Sequence, residues 1–245
     1  MTVAIRSIPL ANPVFDEEMK QAALDALEND RYTKGENVFK LEEEFARYVG
    51  VKCAVSTSSG TAALHIAFIA LGLKPGDEVV TAPLSFIATA NSVIHAGGVP
   101  KFADIEYDDY NIDPKLVREA VSDRTRALLP VHLFGHPSDL DALQEICHSE
   151  RLSLVEDACQ AHGATFRGRK VGSFGDVGCF SFYPSKNLWV PGDGGIATTD
   201  DEDLAKVMAK LADCGRISHY EHDMIGYTYR LSSVNAAVCR ILLRR

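Results

Sequence analysis

The chain has 245 residues, 46% of them hydrophobic and 24% charged, a composition that closes one large soluble α/β core, or two small ones, without covalent staples. Its 25 basic and 34 acidic residues leave a net charge of −9, which argues against non-specific binding to nucleic acid or an anionic membrane but leaves room for one local phosphate pocket. Six cysteines without a CxxC pair predict reduced, buried thiols in a cytoplasmic protein, residues 1–10 show no signal-peptide pattern, and the longest apolar stretch, 62–73, is too short to span a membrane.

Two helices are predicted first. Met19, Ala22, Ala23, Ala26 and Leu27 share one face, and Val38, Leu41, Phe45 and Tyr48 recur at steps of three and four. A polar turn, Tyr32 to Gly35, separates them. Strands and helices then alternate. Strands are expected at 53–56, 78–81, 99–103, 126–131, 153–156, 177–182 and 195–199. Helices are expected at 61–71, 86–95, from Asp113-Pro114 onward, at 140–149 and at 201–213. Asp113 reads as a cap with Pro114 at the first helical position. From about Ser232, Val234, Ala237, Val238, Ile241 and Leu242 mark one further amphipathic helix. Alternation at this spacing implies a mostly parallel sheet with helices on both faces, whose ligands bind beyond the carboxyl ends of the strands.

Three segments at such strand ends can carry chemistry. Ser58-Ser59-Gly60-Thr61 follows a strand and opens a helix, which suits either a phosphate cup or a simple helix cap. It lacks the GxxxxGK[ST] pattern of a P-loop. In Val155-Glu156-Asp157, Asp157 ends an apolar strand, where it can pair with a buried cation or cap a helix; Cys159, Gln160 and His162 follow. His162 alone reads as a structural histidine with a supporting role. Lys186 lies in a turn marked by Pro184, after the strand that ends at Ser181 and before the glycine-rich Gly192-Asp193-Gly194-Gly195. Alone it reads as a solvated loop lysine. Together the segments offer an amine for a Schiff base, a carboxylate for a pyridine nitrogen, an anion cup and an aromatic, the set that pyridoxal 5'-phosphate (PLP) requires. The acidic run from Asp104 to Asp109 reads as a solvated face, and no metal site is expected.

The order SSGTAAL, PLSFIATANSV, VEDACQAHGA, GDVGCFSFYPSKNL and GDGG resembles the DegT/DnrJ/EryC1/StrS family of nucleotide-sugar aminotransferases over residues 8–238. The resemblance implies the PLP-dependent transferase fold type I, aspartate aminotransferase-like, and a homodimer with shared active sites. It implies catalysis by Lys186, the Schiff-base lysine, and Asp157, the partner of the pyridine nitrogen. It places Gln160 near the phenolic oxygen, Gly60 and Thr61 in the phosphate cup, Ser181 as a phosphate-binding hydroxyl and Phe86 stacked on the ring. Phe86 could otherwise be a core aromatic. It also implies amine transfer to a nucleotide-linked keto-sugar, with glutamate as donor. Lys186 argues against the related dehydratases, which carry histidine there.

Two departures matter. Relatives often read GYNYR where this chain has Gly226-Tyr227-Thr228-Tyr229-Arg230, so Thr228 replaces an asparagine that reaches the neighbouring subunit's phosphate. Relatives also continue into a C-terminal domain. The expectation is therefore a PLP-binding large domain with a helical arm over 1–215, and the start of a truncated region over 216–245. Such a chain is expected to bind PLP yet to be weakly active and prone to associate. The alternative is a non-catalytic remnant that binds PLP weakly or only mediates dimerisation.

Overall fold

A computed structural model of the chain describes Ile8, Pro9 and residues 11–245. Most of the amino-terminal stretch on which the signal-peptide expectation rests lies outside the described residues. The chain opens with α1 (Glu17–Asn29) and α2 (Glu36–Val49). Asp16 caps α1 by accepting from the Met19 N–H at 3.0 Å. Gly35, at the start of α2, has no side chain to cap with. Asp30 reaches across the turn instead and accepts from Glu36 N at 2.9 Å and Asn37 N at 3.0 Å. A Cβ on Gly35 would collide with that same carboxylate, which is why the turn needs glycine.

The alternation follows as β1 (Cys53–Thr57), α3 (Gly60–Ala70), β2 (Glu78–Thr81), α4 (Ala88–His95), β3 (Val99–Phe102), α5 (Pro114–Ala120), β4 (Thr125–Leu129), α6 (Leu140–Glu150) and β5 (Ser153–Asp157). A small hairpin, β6 (Thr165–Phe166) and β7 (Arg169–Lys170), precedes β8 (Val177–Ser181), β9 (Gly195–Thr199), α7 (Glu202–Ala212) and α8 (Ser233–Leu243). Seven strands form one sheet in the order β1-β9-β8-β5-β4-β2-β3. The neighbours from β8 to β3 run parallel, while β9 is antiparallel to both β1 and β8. The fold is therefore α/β with a mostly parallel mixed sheet, as the sequence predicts.

Strand side chains alternate between two cores. Leu128, Leu154, Phe180 and Ile196 meet α2, α5, α6 and α8 on one face. Leu129, Val155, Cys179 and Ala197 meet α3, α4 and α7 on the other. This period of two puts neighbouring residues of β5 on opposite sides of the sheet.

The structure departs from the expectations in three places. The predicted face of α1 is buried at Met19 and Ala26, but Leu27 is 47% exposed. Met19 packs with Val238 and Ile241 of α8, so α1 meets one helix and needs only a narrow stripe. The 86–95 helix begins at Ala88, which leaves Phe86 in the preceding loop. The β6–β7 hairpin was not predicted. Its strands have two residues each, too few to show a period, and its turn is the Arg167-Gly168 pair with φ of 47° and 81°. The α8 stripe packs inside this chain, with Val238 and Ile241 against Met19 of α1 and Ala236 and Cys239 in the core with α2. Arg240 fastens it by a two-pronged ion pair to Glu44 at 2.6 and 2.9 Å.

Candidate active site

At the carboxyl edge of the sheet lies a cavity of about 360 Å³. Gly60, Thr61, Phe86, Asp157, Gln160, Ser181 and Lys186 are among the residues that line it. The structure thus gathers residues from 60 to 186 around one space. Thr228 is elsewhere: it bridges to Asp213, and its hydroxyl lies 3.4 Å from Cys214 Sγ.

The Gly60 end is a helix start. Ser59 caps α3, its hydroxyl accepting from Ala62 N and its carbonyl from Ala63 N, both at 3.1 Å. The helix-cap reading of this loop holds; capping uses Ala62 N and leaves the N–H groups of Gly60 and Thr61 available to an anion. A Cβ on Gly60 would meet Cys159 Sγ at 2.7 Å and Ser181 Cβ at 2.8 Å. A Cβ on Gly195 would strike the Ser59–Gly60 peptide itself. Two glycines therefore let three strand ends converge under the cup.

Asp157 and Glu156 end β5 on opposite faces. Glu156 is fully buried and accepts four hydrogen bonds, from His132 Nε2 (3.0 Å), Gly172 N (2.7 Å), Phe174 N (2.7 Å) and Gly175 N (2.8 Å). Burial raises its pKa, but His132 and the backbone donors outweigh it and hold the carboxyl below its ordinary value. The Ser138 N–H donates to His132 Nδ1, so the imidazole proton sits on Nε2 and points at Glu156. Asp157, only 5% exposed, accepts two hydrogen bonds: from Thr89 Oγ1 at 2.7 Å and from Cys159 N at 3.2 Å. No helix follows β5, so Asp157 is not a helix cap.

Gln160 Oε1 accepts from Phe134 N at 3.0 Å, which leaves its amide N–H groups as the free donors beside the cavity. Phe134 holds a left-handed φ of 53° to make this bond. Lys186 closes a turn by donating its backbone N–H to the Tyr183 carbonyl at 2.8 Å, with Pro184 at the second position. Its side chain lines the cavity, and among the described residues it forms no salt bridge. Phe86 is 67% exposed, which removes the core-aromatic alternative.

His162 lies behind the cavity, 5.4 Å from the Phe180 ring and 6.0 Å from that of Phe182. Burial first, and then the charge of Lys186, pushes its pKa down to about 3, and neither ring nitrogen has a hydrogen-bond partner among the described residues. The imidazole is therefore neutral, a packing group rather than an acid or base. Burial, with the nearby Asp157 charge, raises the Cys159 thiol well above its usual range, so it is no nucleophile. Thr89 and Ser85 also line the cavity, though in the sequence they stand out only as part of the SFIATANSV segment. Among the described residues no group of three or more His, Cys, Asp or Glu side chains is placed to hold a metal ion.

The donor set fits an anionic, aromatic, carbonyl-bearing cofactor. The cup at α3 suits a phosphate, Asp157 has lone pairs left for a protonated ring nitrogen, Gln160 offers N–H groups, and Lys186 offers an amine. This is an α/β fold with a cofactor-type cavity at its carboxyl edge. The chain belongs to the DegT/DnrJ/EryC1/StrS aminotransferase family, whose profile matches residues 13–245. It is 43% identical over 226 residues to the dTDP-3-amino-3,4,6-trideoxy-alpha-D-glucose transaminase of Streptomyces venezuelae, covering 92% of this chain and 60% of that protein. The solved S. venezuelae DesV in complex with a ketimine intermediate superposes with a TM-score of 0.92 at 43% identity, over 94% of this chain and 62% of that one. NtdA from Bacillus subtilis, with bound cofactor PMP, gives a TM-score of 0.86 at 32% identity, over 98% of this chain and 57% of that one. The chain spans about three fifths of the length of the curated relatives it matches.

Proposed function

We propose that this chain carries the cofactor site of a PLP-dependent transaminase that aminates a nucleotide-linked keto-sugar, with glutamate as amino donor. The observation that carries the proposal is the convergence of Lys186, Asp157, Gln160 and the α3 cup on one cavity, in a chain of this family. When bound, the cofactor supplies a carbonyl carbon that condenses with amines and a ring that withdraws electrons. Lys186 Nζ would hold the cofactor through that carbonyl carbon and, when free, would carry a proton between the substrate carbon and the same cofactor carbon. Asp157 keeps a negative charge opposite the ring nitrogen. Gln160 donates an amide N–H to the phenolic oxygen. Gly60 and Thr61 N–H groups and the Ser181 hydroxyl bind the phosphate, and Phe86 covers one ring face.

A homodimer with shared sites is part of this proposal. Its support is the exposed apolar surface at and near the mouth, where Leu84, Phe86, Ile87, Phe134 and Tyr183 are 45–86% exposed, together with the position of Thr228 outside its own cavity. On this reading Thr228 serves the partner's phosphate. A cytoplasmic location is proposed from the free cysteines and acidic charge; among the described residues no helix is long and apolar enough to cross a membrane. The test is borohydride reduction of the chain with PLP, followed by peptide mapping, and amine transfer against a panel of nucleotide keto-sugars. A pyridoxyl group on Lys186, lost in Lys186→Ala, is the expected result. An adduct on another lysine would overturn the assignment.

A further inference from the structure

Thr89 stands on the first turn of α4 and is 3% exposed. Its hydroxyl lies 2.7 Å from Asp157 Oδ2 and 2.7 Å from Ser85 Oγ. An ionised carboxylate only accepts hydrogen bonds, so the Thr89 proton points at Asp157. The Thr89 oxygen is then the acceptor for Ser85, whose hydroxyl must donate. The direction of the chain is fixed as Ser85 to Thr89 to Asp157. Ser85, Thr89 and Asp157 all line the cavity.

Asp157 has two anchors, and they differ in kind. Cys159 N, at 3.2 Å, is part of the carboxylate's own turn and moves with it. Thr89 comes from a different element, across the sheet edge, and is the shorter contact. The same five-residue segment also carries Phe86, whose carbonyl accepts from Thr89 N at 3.0 Å. Phe86 and the hydroxyl that bonds Asp157 thus share one hydrogen-bonded turn.

We propose that Ser85 and Thr89 form a positioning relay that fixes the rotamer of Asp157, so that its two unused lone pairs face the cavity. The inference rests on the proposed cofactor site, because the relay matters for binding only if Asp157 receives a protonated ring nitrogen. A hydrogen bond to a charged group, made in a dry site, corresponds to about 10- to 100-fold in affinity. Ser85, one bond further out, should matter less, by about 3- to 10-fold.

Three variants test this. Thr89→Val keeps the shape and loses the hydroxyl; Thr89→Ser keeps the hydroxyl and loses the methyl; Ser85→Ala removes the outer donor. PLP titration followed by absorbance should show Thr89→Val weakened by about 10- to 100-fold and Thr89→Ser within about 3-fold of the parent. Equal losses in the Val and Ser variants would mean a packing role and overturn the relay, as would a Thr89→Val affinity unchanged from the parent. A second readout needs no cofactor. In the apo chain the Cys159 amide donates to Asp157, so its NMR signal should shift in Thr89→Val and stay near its place in Thr89→Ser. An unmoved Cys159 amide in Thr89→Val overturns the relay. A parent chain that fails to bind PLP, with the Cys159 shift still present, would sink the proposed function and leave the relay standing.

Discussion

Glu156 and Asp157 are consecutive, buried and ionisable, yet they do opposite things. On the α2/α6 face Glu156 has four donors for its four lone-pair sites. It can bind nothing more, and it ties the loop after β4 to the turn before β8. On the α3/α4 face Asp157 has two donors and opens on the cavity. A saturated carboxylate is architecture; one held with lone pairs in reserve can receive a ligand. Side by side on one strand, the pair separates those roles more cleanly than burial or conservation of charge would.

Exchanging the two losses is the strongest way to break this comparison. Glu156→Ala leaves His132 and three backbone N–H groups buried without an acceptor, so it should cost about 3–5 kcal/mol of apo stability in denaturant unfolding. Asp157→Ala should cost far less in the apo chain and instead weaken PLP binding by roughly 100-fold or more, since it strands the ring nitrogen's charge. Comparable losses of apo stability from the two variants would erase the distinction.

A buried imidazole sharpens the contrast on the Glu156 face. His132 donates a hydrogen bond to Glu156, whereas His162 has no partner among the described residues and a pKa of about 3. The unfolded chain takes up a proton near pH 6.5 that folded His162 refuses. The stability this group permits is complete above pH 6.5 and is lost as pH falls toward 3, at about 1.4 kcal/mol per pH unit. His162→Leu should flatten the stability curve between pH 6 and 4 by about that slope, measured by chemical unfolding at each pH. An unchanged slope would show that the imidazole finds a partner.

Glycine at the cup tests the Asp157 face from below. Gly195→Ala forces its new methyl into the Ser59–Gly60 peptide. A destabilisation of about 1–3 kcal/mol is expected, together with weaker retention of PLP than in a core variant of equal stability. The smallest effect on folding belongs to Phe86→Ala. Its ring is mostly in solvent, so the apo stability should change by less than about 0.5 kcal/mol, while PLP binding and the cofactor spectrum should change measurably. A large apo loss would return Phe86 to the core.

Much of this was legible in the sequence, because its signals are local. Two core periodicities, the Asp113-Pro114 helix start and the strand-helix spacing give the elements and the α/β class, since side-chain direction repeats every 3.6 residues in a helix and every two in a strand. The motif order from Ser58 to Gly195 marked the cavity, because in parallel sheets ligand groups gather where strands end. Tertiary structure decided the rest. No local pattern says that Asp30 caps α2, that α8 packs between α1 and α2, or that Thr89 orients Asp157 across 68 residues of chain. Nor does one say which of two adjacent carboxylates is saturated. The carboxylate contacts depend on donors placed by the fold and the α8 contact on apolar faces that meet in space; a hydrogen bond is set by distance and direction, about which separation along the chain carries no information.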